Sequence, residues 1–179
     1  NINEVNQFSK TTKEKYFVDK SELIEKMNEL VGTASQYVCI TRPRRFGKTL
    51  GMSMLESFFD IQKDNKALFE ELEIAKRHEL CMEWMNQWPT VFLSLKRVDG
   101  LDFDGAYRML MQVIAGVYKQ HLYLLDSDRV NDYDKKIITR IMEGTASVEE
   151  IKDSLLLLTG AMKEYFGKPV ILLIDEYDV

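Results

Sequence analysis

The chain reads as an α/β protein, with helices on both faces of a parallel sheet in a three-layer α/β/α sandwich. Three observations predict this. Apolar runs with little polar alternation recur at 37–40, 89–95 and 170–174, the pattern of strands covered on both faces. Stretches with apolar residues at helical spacing separate them, as connections between parallel strands require. Two of the runs also end in residues that carry phosphate and metal chemistry. Gly47-Lys48-Thr49 follows the first, and Asp175-Glu176 closes the last.

A chain of 179 residues can bury a sizeable single core. Its 45% apolar and 30% charged residues exclude a disordered polymer. A net charge of −5 counts against a dedicated nucleic-acid surface but allows a local basic patch. No apolar run approaches the ~20 residues that span a bilayer, and the polar N-terminus does not resemble a signal peptide, so a cytoplasmic location without membrane contact is expected. Cys39, in a strand pattern, and Cys81, in a helical one, are read as buried reduced thiols. No Cys/His set has the spacing of a zinc site.

Residues 1–15 show no periodicity and are expected to form a loose lead-in, with the folded part running from 16 to 179. Tyr16 and Phe17 serve either as a hydrophobic plug or as an aromatic wall for a nucleotide base. Asp19 with Glu22 has capping-box spacing, and a helix with Leu23, Ile24, Met27 and Leu30 on one face should end at Gly32. After Thr49, Leu50, Met54, Leu55, Phe58 and Phe59 mark the buried face of a second helix. The charge-rich stretch 61–88 predicts one or two solvated helices, with His78 exposed. Pro89 opens a strand that turns out at Asp99-Gly100, and helical spacing runs over 102–126. A loop over 126–132, a short helix over 133–143 and a capping box at Ser147/Glu150 follow. The last helix runs to Phe166, stopped by Gly167-Lys168-Pro169, and the buried parallel strand 170–174 comes next.

Strand, basic loop, Gly-Lys-Thr, helix is the layout of a phosphate-binding P-loop. Gly47 lets the backbone approach a phosphate, and amides from about Arg44 through Arg45, Phe46 and Gly47 to Thr49 can converge on an anion at the positive end of the following helix. Lys48 can reach the β- and γ-phosphates, and the Thr49 hydroxyl can ligate Mg²⁺. Arg42 stands where the usual pattern has its first glycine. An apolar strand ending in Asp-Glu is the Walker B pattern. Ligands of open α/β sheets bind at the carboxyl ends of the strands, so Asp175 and Glu176 should reach the edge that carries Lys48 and Thr49. There Asp175 would hold Mg²⁺, and Glu176 would polarise the attacking water. The adjacent glutamate points to the additional-strand class of P-loop ATPases. Arg42, Arg44 and Arg45 have three readings: contact with phosphate, reach to a neighbouring subunit or nucleic acid, or pairing with Glu56 or Asp175.

The segments Tyr16-Phe17-Val18-Asp19-Lys20-Ser21, Ile40-Thr41-Arg42-Pro43-Arg44-Arg45-Phe46-Gly47-Lys48-Thr49 and Leu172-Leu173-Ile174-Asp175-Glu176-Tyr177-Asp178 resemble the predicted AAA-ATPase-like proteins of bacteria, as does Met85 to Ser94 for the second strand. In that family the loop typically reads Arg-Pro-Arg-Arg-Phe-Gly-Lys-Thr, so the absent glycine is a family trait. The resemblance implies ATP and Mg²⁺ as ligands and a regulator or motor for an attached domain, often a PD-(D/E)XK nuclease-like one. It also implies a fourth strand between the P-loop and Walker B strands. That strand would follow Val179, so an incomplete parallel sheet is expected: the P-loop strand lacks its usual neighbour, and either the sheet collapses or a partner chain fills the gap. Weak or absent turnover by the isolated chain is expected as well. Two other readings stand beside the ATPase. One is a non-hydrolysing nucleotide switch, with self-association left open. The other is a nucleic-acid-associated module, which the acidic balance disfavours.

Overall fold

The computed structural model describes residues 7–41, 43, 46–100 and 102–176. They fall into two compact units, Asn1–Trp88 and Pro89–Val179. The first holds α1 (Gln7–Thr11), α2 (Glu22–Asn28), α3 (Lys48–Phe59) and α4 (His78–Trp84), with 3₁₀ turns at Lys66–Leu68 and Glu73–Lys76. The second holds β1 (Thr90–Ser94), α5 (Phe103–Tyr118), a 3₁₀ turn (Lys119–Leu124), α6 (Asp132–Glu143), α7 (Val148–Lys152), α8 (Ser154–Phe166) and β2 (Ile171–Asp175). Among the described residues no helix is long and apolar enough to cross a membrane.

The first unit is built around α3, whose Met54, Leu55, Phe58 and Phe59 are buried as their spacing predicts. Phe58 meets Phe59 and Phe69 edge-on, and Phe69 stacks on Phe8 at 5.2 Å. Phe8 is only 1% exposed, and its amide donates to Ser53 Oγ on α3. Residues 7–11 are therefore a docked helix and not the loose lead-in expected. A single large aromatic can anchor one helical turn, and a periodicity test does not detect it. Phe17 joins this cluster edge-on to Phe8, whereas Tyr16 is exposed.

The carboxyl end of α3 is closed by Asn86, a buried residue with a left-handed φ of 55°. Its amide donates to Phe58 O, its Nδ2 donates to Ser57 O and Asp60 O, and its Oδ1 accepts from Asn65 N. The Trp88 amide takes Phe59 O. Carbonyls that a helix end leaves without partners are thus satisfied from a distant segment.

In the second unit β1 and β2 pair in parallel, Thr90 opposite Ile171 through Ser94 opposite Asp175. Val91 and Leu93 pack with Ile114, Val117 and Tyr118 of α5, Ile138 and Ile141 of α6, and Leu158 and Met162 of α8. The helix starts follow their local signals. Asp102 accepts from Gly105 N, Asn131 accepts from Asp134 N, and Ser147 with Glu150 forms the expected capping box. Gly144 and Gly167 end α6 and α8 in the left-handed region. The helix expected from Ser147 to Phe166 is divided at Asp153.

Other expectations are corrected as well. Residues 37–40 form no strand. Tyr37 is 90% exposed, and Cys39, expected to be buried, is exposed with it. A strand exists only where a neighbour takes its backbone groups, and the sheet among the described residues has two strands, β1 and β2. For the same reason β2 is not covered on both faces, since Leu172 is 38% exposed. Cys81 is half-buried rather than buried. Asp19 does not cap α2 either: the N-cap is Ser21, without a side-chain bond, and the Asp19 carboxylate is engaged elsewhere. His78 is exposed, as read from the sequence.

Replacing Asn86 with Ala should cost about 3 kcal/mol, because three side-chain bonds are lost and Ala resists positive φ. Asn86→Gly, which accepts the φ, should cost about 1 kcal/mol less, and urea denaturation midpoints separate the two.

A second expectation concerns His121, which is 4% exposed and shares a 3.0 Å hydrogen bond through Nδ1 with the Tyr123 hydroxyl. Burial pushes its pKa down to about 4 from 6.5. The unfolded chain then binds the extra proton between those values, so stability rises with pH across that window and the contribution is complete above 6.5. At about 1.4 kcal/mol per unit the effect is about 3 kcal/mol. His121→Gln should flatten the profile most clearly between pH 5 and 6.5, above the carboxylate titrations.

Candidate functional site

Gly47 is the N-cap of α3, with φ 80° and ψ 26°. A Cβ there would meet Lys20 Nζ at 3.8 Å, an ordinary contact, so it is backbone conformation and not space that calls for glycine. The turn places Lys48 and Thr49 on the first turn of α3, both half-buried, with Phe46 exposed just before them. The Gly51 amide is the first to return to the loop, donating to Gly47 O. As a glycine, the Gly47 N-cap offers no side-chain acceptor to the amides before Gly51, and the first turn carries no acid. Among the described residues no carboxylate pairs with Lys48. The positive end of a helix with a lysine on it, paired with no carboxylate among the described residues, has the chemistry that favours an anion.

Lys20 also stands at this loop, with its ammonium donating to the Phe46 carbonyl at 3.4 Å. Glu56, one proposed partner for the loop arginines, is held by Lys63 at 2.6 Å. Arg42, Arg44 and Arg45 lie outside the described residues.

Asp175 is the last residue of β2. Its carbonyl accepts from Leu95 N at 3.0 Å. The residue is 4% exposed, and its Oδ2 has no hydrogen-bond partner among the described residues. A buried carboxylate oxygen without a donor costs about 1–3 kcal/mol, and a cation or its hydration water is what such an oxygen lacks. Glu176 follows with φ 55°, a left-handed conformation that non-glycine residues avoid. Strain of this kind is concentrated where the side chain has work to do. The two groups of residues belong to different units: Phe46, Gly47, Lys48 and Thr49 to the first, and Asp175 and Glu176 to the second.

A family model described as a predicted AAA-ATPase matches residues 4–179. This chain belongs to the AAA-ATPase-like family. No curated protein and no solved structure shows a significant match to it. Membership makes the protein a nucleotide-binding, ATPase-like module on an α/β framework. Within this AAA-ATPase-like chain, reading the sequence missed Lys20. The signal was present, because Lys20 lies inside the Tyr16–Ser21 segment that carried the resemblance, but no spacing rule links it to a loop 26 residues later.

If Asp175 is held ready for a cation, removing its charge should not weaken the metal-free fold. Asp175→Asn should melt at or above the wild-type temperature without Mg²⁺. It should also lack the rise in melting temperature expected of the wild type with Mg²⁺ and ATP. Thermal scans with and without Mg-ATP check both.

Proposed function

We propose that this AAA-ATPase-like protein binds Mg-ATP through the loop ending in Gly47-Lys48-Thr49 and hydrolyses the β–γ bond, on a P-loop sheet of the additional-strand class. The observation that carries the reading is the left-handed turn at Gly47, which sets Lys48 and Thr49 on the uncapped first turn of α3. The residues fit the ligands. Among the described residues Lys48 is without an acidic partner, as a polyphosphate lysine should be, and the Asp175 oxygen left without a partner there suits a divalent cation.

In this reading the loop amides and Lys48 bind and orient the phosphates, with Phe46, Arg44 and Arg45 as part of the cradle. Thr49 Oγ1 and an Asp175 carboxylate oxygen would hold Mg²⁺, which when bound supplies positive charge to the β- and γ-phosphate oxygens. Glu176 accepts the proton of the attacking water, and its left-handed backbone fixes the direction from which the carboxylate acts. Catalysis of this type is positioning and charge stabilisation, with little covalent work for the protein. The hydrolytic cycle would serve to regulate an attached nuclease-like or other partner domain in the cytoplasm.

Calorimetric titration of Mg-ATP should give binding to the wild type that Lys48→Ala weakens at least ~100-fold, as loss of a charged phosphate contact of about 3 kcal/mol does. Phosphate release, however slow, should fall to background in Glu176→Gln while binding persists. Binding without release by the wild type would establish the nucleotide switch instead, and absence of binding would defeat both readings.

A further inference from the structure

The segment Asp19-Lys20-Ser21 is clamped by its two outer residues. Asp19 Oδ2 accepts from the Glu73 amide at 2.7 Å, and its Oδ1 accepts from Ser21 N at 2.8 Å. Ser21 is fully buried, and its Oγ accepts from the Ile74 amide at 3.1 Å. Arg77 reaches Glu25 on α2 at 2.9 Å and adds a further tie between the same two segments. Partial burial would raise the Asp19 pKa, but the hydrogen bonds from Glu73 and Ser21 outweigh it and hold the carboxyl below its usual range, as an ionised anchor.

With both neighbours turned to the Glu73–Lys76 turn, Lys20 is left facing the other way, towards the loop. Its ammonium has three donors. One reaches Phe46 O, and the nitrogen stands 3.8 Å from where a Gly47 side chain would begin. It therefore flanks the face that glycine leaves open. Among the described residues no carboxylate pairs with Lys20. The Lys20 ammonium thus stands at the positive end of α3, whose first residue is Lys48 and whose first turn carries no acid to offset them. That arrangement is unfavourable for the empty protein and favourable for a polyanion between the lysines.

We propose that Lys20 is a second phosphate-binding cation of this site, delivered from the segment before α2 and contacting the polyphosphate chain of the nucleotide beside Lys48. The inference rests on the reading of Gly47-Lys48-Thr49 as the triphosphate site. Its class of ligand is any polyphosphate, and the base plays no part in it.

The test is calorimetric titration of Mg-ATP and of inorganic tripolyphosphate, at two salt concentrations, into wild type, Lys20→Met, Lys20→Arg and Lys48→Ala. Lys20→Met should weaken both ligands about 10-fold, as loss of one exposed charged contact does. It should also reduce the dependence of affinity on salt, and Lys20→Arg should restore most of the loss. The ligand-free melting temperature of Lys20→Met should equal or exceed that of the wild type. Binding by Lys20→Met within twofold of the wild type, while Lys48→Ala fails, overturns this inference and leaves the nucleotide site standing. A lowered ligand-free melting temperature with unchanged salt dependence also overturns it, since Lys20 would then only brace the loop. Failure of the wild type to bind either ligand removes the site and the inference together.

Discussion

The burial of one end of α3 governs where its other end can be. Phe58 and Phe59 lock the carboxyl end into an aromatic cluster, and Asn86 closes its last carbonyls from a left-handed turn. A 12-residue helix is a rod of about 18 Å, so whatever fixes one end fixes the other. The amino end is the one that carries the proposed phosphate site: Gly47 turns the chain into it, and Lys48 and Thr49 lie on its first turn. The division of labour is chemical. Apolar and aromatic residues fill the closed end, and the first turn at the open one carries no acid.

The same economy appears at β2. All five residues of the strand pair with β1, and the last of them, Asp175, is also buried with a side-chain oxygen that has no hydrogen-bond partner among the described residues. The next residue, Glu176, is forced into a conformation that only glycine adopts freely. Both features cost stability, and neither serves the packing. In a fold otherwise governed by local caps and apolar stripes, such costs motivate the metal and base roles proposed for the two acids.

Lys20 shows how a side chain can be placed by its neighbours. Asp19 and Ser21 face one way to bond a distant backbone turn, and that commits the residue between them to the other side. A flexible lysine becomes a directed one at the expense of two backbone hydrogen bonds made elsewhere. The capping-box reading of Asp19 failed because the Glu73 amide, far along the chain, offered its carboxylate a better partner than the start of α2 did.

Elements with local causes were legible without coordinates. The helix stripes of α3, α5 and α6, the caps at Ser147 and Gly167, and the strands near Thr90 and Ile171 follow from periodicity and from side chains bonding to backbone a few residues away. The Gly-Lys-Thr loop and the Asp-Glu strand end were legible for the same reason. Whatever depended on a distant partner could be decided only by the tertiary structure. Residues 37–40 have the composition of a strand, but a strand is made by its neighbour, and none is paired with them among the described residues. Phe8 is buried because Phe69 is there to receive it, Asp19 turns to Glu73, and Lys20 reaches Phe46 across 26 positions. A sequence determines which bonds a residue can make with its near neighbours; which distant group comes within 3 Å of it is decided only when the whole chain closes.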